Sequence, residues 1–225
     1  MPADLSSLDE VRRLAAHLLE RHERIDVLVN NAGLVAGRRT LTVDGLELTM
    51  AVNHFAPFLL TNLLLDRLKA SPPARVVTTA SDAHRGGLVD VADLNGERKW
   101  SAWSAYGTSK LANILFTRAL ARRLEGTGVV ANTFHPGVIR TGLARGAPLP
   151  IRLGWRAASV FFGSPRKGAR TLVYLASAPE AADVSGGYFA DSRLATPSLQ
   201  AQDDELAEEL WKASAELTGL GSSSP

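Results

Sequence analysis

Short apolar strands alternate with helical segments along this chain, and this alternation limits the possible folds more than any other feature. The strands are predicted over residues 25–29, 75–79, 129–134 and 187–190. Helices are predicted over about residues 8–19, 43–69, 105–125, 167–176 and 203–217, with a loop over 82–104. Almost continuously apolar strands are typical of parallel sheets that helices cover on both faces. The pattern therefore predicts an α/β fold, a layered sandwich around a parallel sheet of about four strands.

The composition excludes several classes of protein. The chain has 25 basic and 23 acidic side chains, and a net charge of +2 gives little support for nucleic-acid binding. It has no cysteine, which excludes disulfides and thiolate catalysis. No apolar stretch approaches the ~20 residues of a membrane span, and the first residues do not resemble a signal peptide. We expect a single cytoplasmic domain over residues 1–220 and a flexible tail over 221–225.

Polar motifs follow three of the predicted strands. They are Asn-Asn-Ala-Gly at 30–33, Ala-Ser-Asp at 80–82 and His-Pro-Gly at 135–137. In open parallel sheets, ligands bind beyond the carboxyl ends of the strands. The sequence therefore predicts a binding site where these motifs meet.

Tyr106 and Lys110 are four residues apart in a predicted helix, so both side chains project from one face. A nearby ammonium favours the phenolate, and lowering the tyrosine pKa by two to three units requires roughly 3–4 kcal/mol. The pair therefore suits acid–base catalysis. Taken alone, the same spacing is more common on the surface of a solvated helix.

Three other features each allow a functional and a structural interpretation. Ser81 suits donation of a hydrogen bond to a substrate oxygen, but it also suits a turn or cap. Asn53 is a candidate to hold a water for proton relay, or to hydrogen-bond back to its own helix. The motif at 30–33 fits a turn pressed against a flat ligand, or an ordinary turn.

Several other chemistries are disfavoured. His54, His84 and His135 do not share the spacing of metal ligands, so no metal site is predicted. The chain has no G-x-S-x-G elbow of a serine hydrolase. Residues 126–131 match G-x-G-x-x-A by letters, but they follow a helix and enter a strand. This order is the reverse of the one that dinucleotide binding requires.

Taken together, the motifs resemble the short-chain dehydrogenase/reductase family. They are Asp4-Leu5, the motif at 30–33, Asn53, Ser81, Tyr106-Gly-Thr-Ser-Lys110 and the run from His135 to Thr141. The spacing from Ser81 to Tyr106 and the runs 109–116 and 184–191 are similar to the retinol-dehydrogenase-like branch. The resemblance covers about residues 4–219 and implies a Rossmann-like fold.

The resemblance also implies roles for individual residues. Tyr106 is the acid–base group, Lys110 lowers its pKa and holds the nicotinamide ribose, Ser81 steadies the reacting oxygen, and Asn53 keeps a relay water. The implied contacts of NAD or NADP are Tyr106 and Lys110 together with Asp4, Leu5, Asn31, Ala32, Gly33, Ile139 and Thr141. An aromatic lid at 148–162 implies a lipophilic carbonyl or alcohol substrate, and family members commonly form homodimers through the helices at 43–69 and 105–125.

The chain departs from the family pattern at its start. The family has a Gly-rich cofactor-binding segment before the position of Asp4, so we expect a truncated domain with impaired activity and an exposed edge strand at 25–29. The first hypothesis is an NAD(P)-dependent oxidoreductase. The alternative is a non-catalytic interaction module that uses the sheet edge or the two long helices. An epimerase or dehydratase with the same Tyr/Lys pair is disfavoured, because it requires tight cofactor retention.

Overall fold

The computed structural model describes residues 1–137 and 165–221. Within these ranges, one sheet contains five strands in the order of the chain. They are β1 (Val27–Asn30), β2 (Ala74–Thr79), β3 (Val129–His135), β4 (Tyr188–Ala190) and β5 (Arg193–Leu194). The first four strands are parallel, and β5 pairs antiparallel with β4. The predicted α/β fold is confirmed, with one short strand added.

Helices pack on both faces of the sheet. They are α1 (Leu8–Arg21), α2 (Leu48–Met50), α3 (Ala56–Leu63), α4 (Leu65–Lys69), α5 (Ala102–Arg123), α6 (Pro165–Ser177) and α7 (Asp204–Leu217). Val76 of β2 lies in one apolar cluster with Phe116 of α5, whereas Val77 lies in another with Leu175 of α6. Successive strand residues point to opposite faces, so these two clusters lie on opposite sides of the sheet. In the ranges described, every helix is too short or too polar to cross a membrane.

The prediction of one continuous helix over 43–69 is wrong. Helix α2 begins only at Leu48, where the Glu47 side chain accepts a hydrogen bond from the Met50 backbone N–H. Before it, the Thr42 hydroxyl accepts from the backbone N–H of Asp44 and Leu46, and Gly45 has a φ of +74°. A side chain that satisfies these amides stabilises a turn in place of helix. Beyond α2, a π-helical turn over Ala51–Phe55 leads into α3.

Other boundaries also differ from the prediction. Helix α5 begins at Ala102, earlier than expected, because the Ser101 hydroxyl accepts from the Ser104 backbone N–H and caps the helix. The predicted loop at 82–104 contains 3₁₀ turns over Asp82–Gly86 and Val91–Asp93. The turn between β4 and β5 has φ of +48° at Asp191 and +60° at Ser192. Two-residue hairpin turns of this kind usually have the sequence Asn-Gly or Asp-Gly. This turn has Asp-Ser, so the sequence gives little indication of the hairpin.

The glycines at 126 and 128 lie between the end of α5 and the start of β3. Both have a φ of +74°, and the Gly128 carbonyl accepts from the Ala74 backbone N–H at 3.2 Å. They form a helix-to-strand turn, which agrees with the rejection of this motif as a phosphate site.

Strand β1 lies at an edge of the sheet in the part of the chain described. It begins at Val27, two residues later than predicted, and extends through Asn30. Val27 and Val29 are each 38% exposed, whereas Leu28 is buried. An apolar edge strand of this kind is open to pairing with another chain.

Helix α7 covers the two long helical segments that the family resemblance assigns to dimerisation. Trp211 of α7 packs against Phe58 of α3 and Phe116 of α5, with ring centres 5.0 Å and 5.7 Å apart. The Arg123 guanidinium lies 3.9 Å from the centre of the Trp211 ring and is paired with Glu208 of α7 at 2.5 Å. The hydrogen bond from Arg123 lowers the pKa of Glu208 to about 2. Part of the expected dimer surface is therefore occupied by the chain's own helix.

His54 makes the unfolding free energy sensitive to acid. The ring is fully buried, with Nδ1 3.3 Å from Asn113 Oδ1 and Nε2 2.9 Å from Ser214 Oγ. Burial lowers the pKa of His54 from 6.5 to about 4. Between these values the unfolded chain binds more protons than the folded one, so stability falls as the pH decreases from 6.5 to 4.

We expect His54 to account for about 3 kcal/mol of lost unfolding free energy across that window. Urea denaturation at several pH values measures the loss. His22, which is exposed, supplies the control: His22→Gln should leave the pH profile unchanged, whereas His54→Gln should flatten it. If the unfolding free energy of His54→Gln falls with decreasing pH as steeply as that of the parent, His54 is not the responsible group.

Candidate active site

Ser81, Tyr106 and Lys110 meet at the carboxyl edge of the sheet. Ser81 follows β2, and the other two lie in the first turns of α5. Tyr106 is 7% exposed and Lys110 is 3% exposed. Lys110 Nζ lies 5.6 Å from the centre of the Tyr106 ring, and the Ser81 side chain is a hydrogen-bonding partner of the phenol. The three groups therefore share one site, in which Tyr106 and Lys110 are buried and Ser81 is half-buried.

Two glycines allow the Ser81 turn to approach helix α5. A Cβ on Gly107 would lie 2.8 Å from the Ala83 carbonyl oxygen, and one on Gly87 would lie 2.4 Å from the Gly107 backbone. Real Cβ atoms do not approach backbone this closely, so any larger residue would push the turn away from the helix. The glycine in Tyr-Gly-Thr-Ser-Lys is thus part of the geometry that brings Ser81 to Tyr106, a role that its sequence motif did not predict.

Burial governs the protonation of this site. It raises the pKa of the Tyr106 phenol, and the hydrogen bond with Ser81 offsets part of that rise. Burial also lowers the pKa of Lys110 to about 8. The net effect of the surroundings is therefore to raise the pKa of Tyr106, and the implied role of Lys110 in lowering it stays a prediction. Removal of water from the phenolate outweighs the attraction of an ammonium that lies over the ring and donates to the Thr79 carbonyl at 3.0 Å.

Asn53 lies in the π-helical turn and holds the Asn-Asn-Ala-Gly segment in place. Its Oδ1 accepts from the Leu34 backbone N–H at 2.8 Å, and its Nδ2 donates to the Leu34 carbonyl and to Ser109 Oγ, both at 3.0 Å. The amide therefore bonds across the fold, and the expected alternative of a hydrogen bond back to its own helix is wrong.

Asn113, which was not among the predicted site residues, also joins this network. Its Nδ2 donates to the backbone carbonyls of Asn53 at 2.9 Å and of Thr79 at 3.2 Å. An amide three residues after Lys110, within a largely apolar helix, is the signal that could have identified it.

The residues at 30–33 divide between the interior and the site. Asn30 is buried, and its Nδ2 donates to Thr61 Oγ1 at 3.0 Å. Asn31 Oδ1 accepts from the Thr79 hydroxyl at 3.0 Å. A Cβ on Gly33 would lie 3.3 Å from Asn53 Oδ1 and 3.5 Å from Lys110 Nζ. Gly33 thus borders the Tyr106 site directly, and Ala32 precedes it.

Asp4 and Leu5, two further predicted site residues, make their described contacts elsewhere in the fold. Asp4 precedes α1, where its Oδ1 accepts from the Ser6 backbone N–H at 2.9 Å. Hydrogen bonds from Ser6 lower the pKa of Asp4. Leu5 packs near Val11 in the apolar cluster between α1 and α3. Predictions for Ile139, Thr141 and the lid at 148–162 lie outside the described residues.

A second polar group adjoins Ser81. The Tyr188 hydroxyl donates to Asp82 Oδ1 at 2.9 Å, and His135 Nε2 lies 3.4 Å from Asp82 Oδ2. Burial, followed by the hydrogen bond and the charge of Asp82, raises the pKa of Tyr188. Burial lowers the pKa of His135, which Asp82 partly offsets. These contacts connect the segment after β2 to the end of β3 and the start of β4.

Comparisons with known proteins show what this chain is similar to. A family model described as short chain dehydrogenase matches residues 1–149. Human retinol dehydrogenase 13 is 46% identical over 96% of this chain and 67% of its own length, and mouse retinol dehydrogenase 12 is 44% identical over 96% and 68%. The chain thus spans about two thirds of the length of these relatives.

Solved structures show the same similarity. An uncharacterized protein from Mycobacterium paratuberculosis has a TM-score of 0.76 and 36% identity over 96% of this chain and 74% of its own. RhlG from Pseudomonas aeruginosa, in an active-site complex with NADP, has a TM-score of 0.65 and 30% identity over 84% and 73%. A Burkholderia cenocepacia short chain dehydrogenase in complex with NADP has a TM-score of 0.62 and 26% identity over the same 84% and 73%.

Proposed function

The chain belongs to the short-chain dehydrogenase family of NAD- or NADP-dependent oxidoreductases, and from this we propose that it interconverts a lipophilic carbonyl compound and its alcohol. The observation that carries the proposal is the convergence of the half-buried Ser81 with the buried Tyr106 and Lys110 at the carboxyl edge of the sheet. A hydroxyl, a phenol and an ammonium in one water-poor site are the groups that proton transfer to or from a substrate oxygen requires.

Hydride transfer and proton transfer are carried out by different groups of the site. The nicotinamide cofactor, when bound, supplies or accepts the hydride. Tyr106 holds the proton that moves to or from the substrate oxygen. Because burial raises its pKa, the phenol is protonated at neutral pH, which is the form that carbonyl reduction needs. The Ser81 hydroxyl is placed to donate to the same oxygen, and Lys110 supplies positive charge beside the ring.

The residues present fit a nicotinamide ribose beside Tyr106. Lys110 Nζ is buried and carries three donors, one of which bonds to the Thr79 carbonyl. Gly33 has no side chain, and a Cβ there would approach both Lys110 and Asn53. An ammonium next to a glycine suits hydroxyl groups that lie against the backbone. Lys110 and the segment 31–33 are therefore the part of the described chain that would hold NAD or NADP.

A lipophilic substrate is supported by an aromatic side chain next to Tyr106. Trp103 lies one turn earlier in α5, is 53% exposed, and meets the Tyr106 ring edge-on with centres 6.0 Å apart. Exposed aromatic surface beside a reactive group favours apolar ligands. The relatives named retinol dehydrogenases agree with this choice.

Cofactor binding tests the proposal directly. Titration of NADH and of NADPH, followed by nicotinamide fluorescence, should give a dissociation constant below about 100 μM for one of them. Lys110→Met should weaken this binding by about 10- to 100-fold, because hydrogen bonds to charged groups contribute about 1.5–3 kcal/mol. Lys212→Met removes an exposed lysine of α7 and should bind like the parent. If neither NADH nor NADPH binds, the proposed oxidoreductase function is refuted.

One observation favours the alternative of a non-catalytic interaction module. Val27 and Val29 on the edge strand β1 are each 38% exposed. If the protein binds neither cofactor but forms a defined dimer that Val29→Lys disrupts, this alternative replaces the enzyme.

A further inference from the structure

We propose that His84 is a positioning residue that holds the Ser81 turn in register with helix α5 by linking it to the segment after β5. This inference rests on the proposed function, because it concerns the placement of the Ser81 hydroxyl next to Tyr106. His84 is fully buried and lies in the 3₁₀ turn that begins directly after Ser81.

The ring of His84 contacts two backbone groups that are far apart in the chain. Nδ1 lies 2.7 Å from the Ser81 carbonyl oxygen, and Nε2 lies 3.0 Å from the Ser198 backbone nitrogen. A carbonyl oxygen only accepts and a backbone N–H only donates, so the proton must be on Nδ1 and Nε2 must be free of one. The structure therefore assigns a neutral ring of a single tautomer to His84.

These bonds determine where the Ser81 side chain lies. The Ser81 carbonyl accepts both from the His84 ring and from the His84 backbone N–H, the latter at 3.0 Å. On the other side of the same residue, the Ser81 hydroxyl accepts from the Ala83 backbone N–H at 3.2 Å. With its carbonyl held twice, the Ser81 backbone has little freedom to rotate, and its hydroxyl keeps its direction toward Tyr106.

The far end of the link lies in the segment that follows β5. Besides the bond from Ser198, an Arg85 guanidinium N–H donates to the Thr196 carbonyl at 2.8 Å. The His84 ring also packs at a steep angle against the Tyr188 ring of β4, with centres 5.1 Å apart. Through the His84 ring, β4 and the segment after β5 therefore restrict the motion of the Ser81 turn.

The charges around His84 favour the neutral ring. Burial lowers the pKa of His84, and the neighbouring charges of Arg85 and His135 lower it further, while the bond to Ser81 and the charge of Asp82 oppose this. Tyr188, the ring packed against it, stays protonated because its own pKa is raised. A protonated His84 would present a second donor to the Ser198 N–H, so acid should break the link at that end.

A double-mutant cycle tests whether His84 acts through Ser81. His84→Asn retains an amide near the position of Nδ1 but cannot reach Ser198, and it should lower kcat by about tenfold with little change in cofactor affinity. In a Ser81→Ala background the same substitution should change kcat by less than about twofold. His84→Gln, whose carbonyl can accept from Ser198, should recover part of the loss. Equal losses in both backgrounds would show that His84 is merely structural and overturn the inference.

A second measurement does not depend on activity. Amide hydrogen exchange at Ala83 reports the bond to the Ser81 hydroxyl, and it should accelerate by about tenfold or more in His84→Asn. His22→Asn, at an exposed histidine, should leave it unchanged. If the protein binds no cofactor, the proposed function fails, and the exchange experiment still decides whether His84 positions Ser81. Unchanged exchange in His84→Asn would refute the inference even in an active enzyme.

Discussion

Replacement of Tyr106 by Phe should reduce turnover by about 10²- to 10⁴-fold, the usual contribution of a positioned acid–base group. The substitution removes only the phenolic oxygen from a side chain that is 7% exposed, so the fold and the ring contact with Lys110 should persist. Steady-state reduction of a lipophilic aldehyde or ketone with the preferred cofactor measures the loss. The dissociation constant of that cofactor should stay within about twofold of the parent, because the ring is retained.

A matched control lies on α6. Tyr174→Phe removes the same atom from a tyrosine that packs against Phe189, with ring centres 6.3 Å apart, on the opposite face of the sheet. Its turnover should equal that of the parent. If Tyr106→Phe retains parental turnover, Tyr106 has no part in the reaction and the assignment of this site is wrong.

The pH dependence of carbonyl reduction and of alcohol oxidation tests the acid–base role of Tyr106 independently. Because the pKa of its phenol is raised by burial, reduction should proceed at full rate near neutrality and decline only in alkali. Alcohol oxidation needs the deprotonated phenol and should therefore increase as the pH rises. Profiles of kcat in the two directions that change in parallel would contradict this role.

Replacement of Phe116 by Ala should lower the unfolding free energy by about 3–5 kcal/mol, the range for deletion of a fully buried aromatic ring. Phe116 is 1% exposed, and its ring centre lies 5.4 Å from that of Phe58 and 5.7 Å from that of Trp211. The ring thus joins α3, α5 and α7 on one face of the sheet, and its loss leaves a cavity that three packed helices cannot readily fill.

Urea denaturation of Phe116→Ala, with the denaturant slope fitted freely, measures this loss. Val173→Ala on α6 changes a valine that is 55% exposed and should shift stability by less than about 0.5 kcal/mol. A loss below about 1 kcal/mol for Phe116→Ala would show that α7 does not pack on α5 as described.

Strands β1 to β4 and helix α5 could be predicted from local pattern. The apolar runs around Val76 and Val129 form β2 and β3, and Tyr106 and Lys110 lie together on α5 as their spacing indicates. These features depend on side-chain periodicity, which the backbone of each element imposes on its own residues. The helix predicted from 43 failed because the Thr42 side chain and Gly45 stabilise a turn that has no apolar periodicity.

The sequence by itself thus determined the layered α/β fold, its parallel strands and the polar motifs at their carboxyl ends. Only the folded chain determines that Asn53 bonds to Leu34, that His84 bonds to Ser198, and that the pKa of Tyr106 is raised. Hydrogen bonds between distant segments and the removal of water depend on which surfaces come together. Local sequence periodicity predicts neither these hydrogen bonds nor the desolvation, because both arise only when remote elements pack against one another.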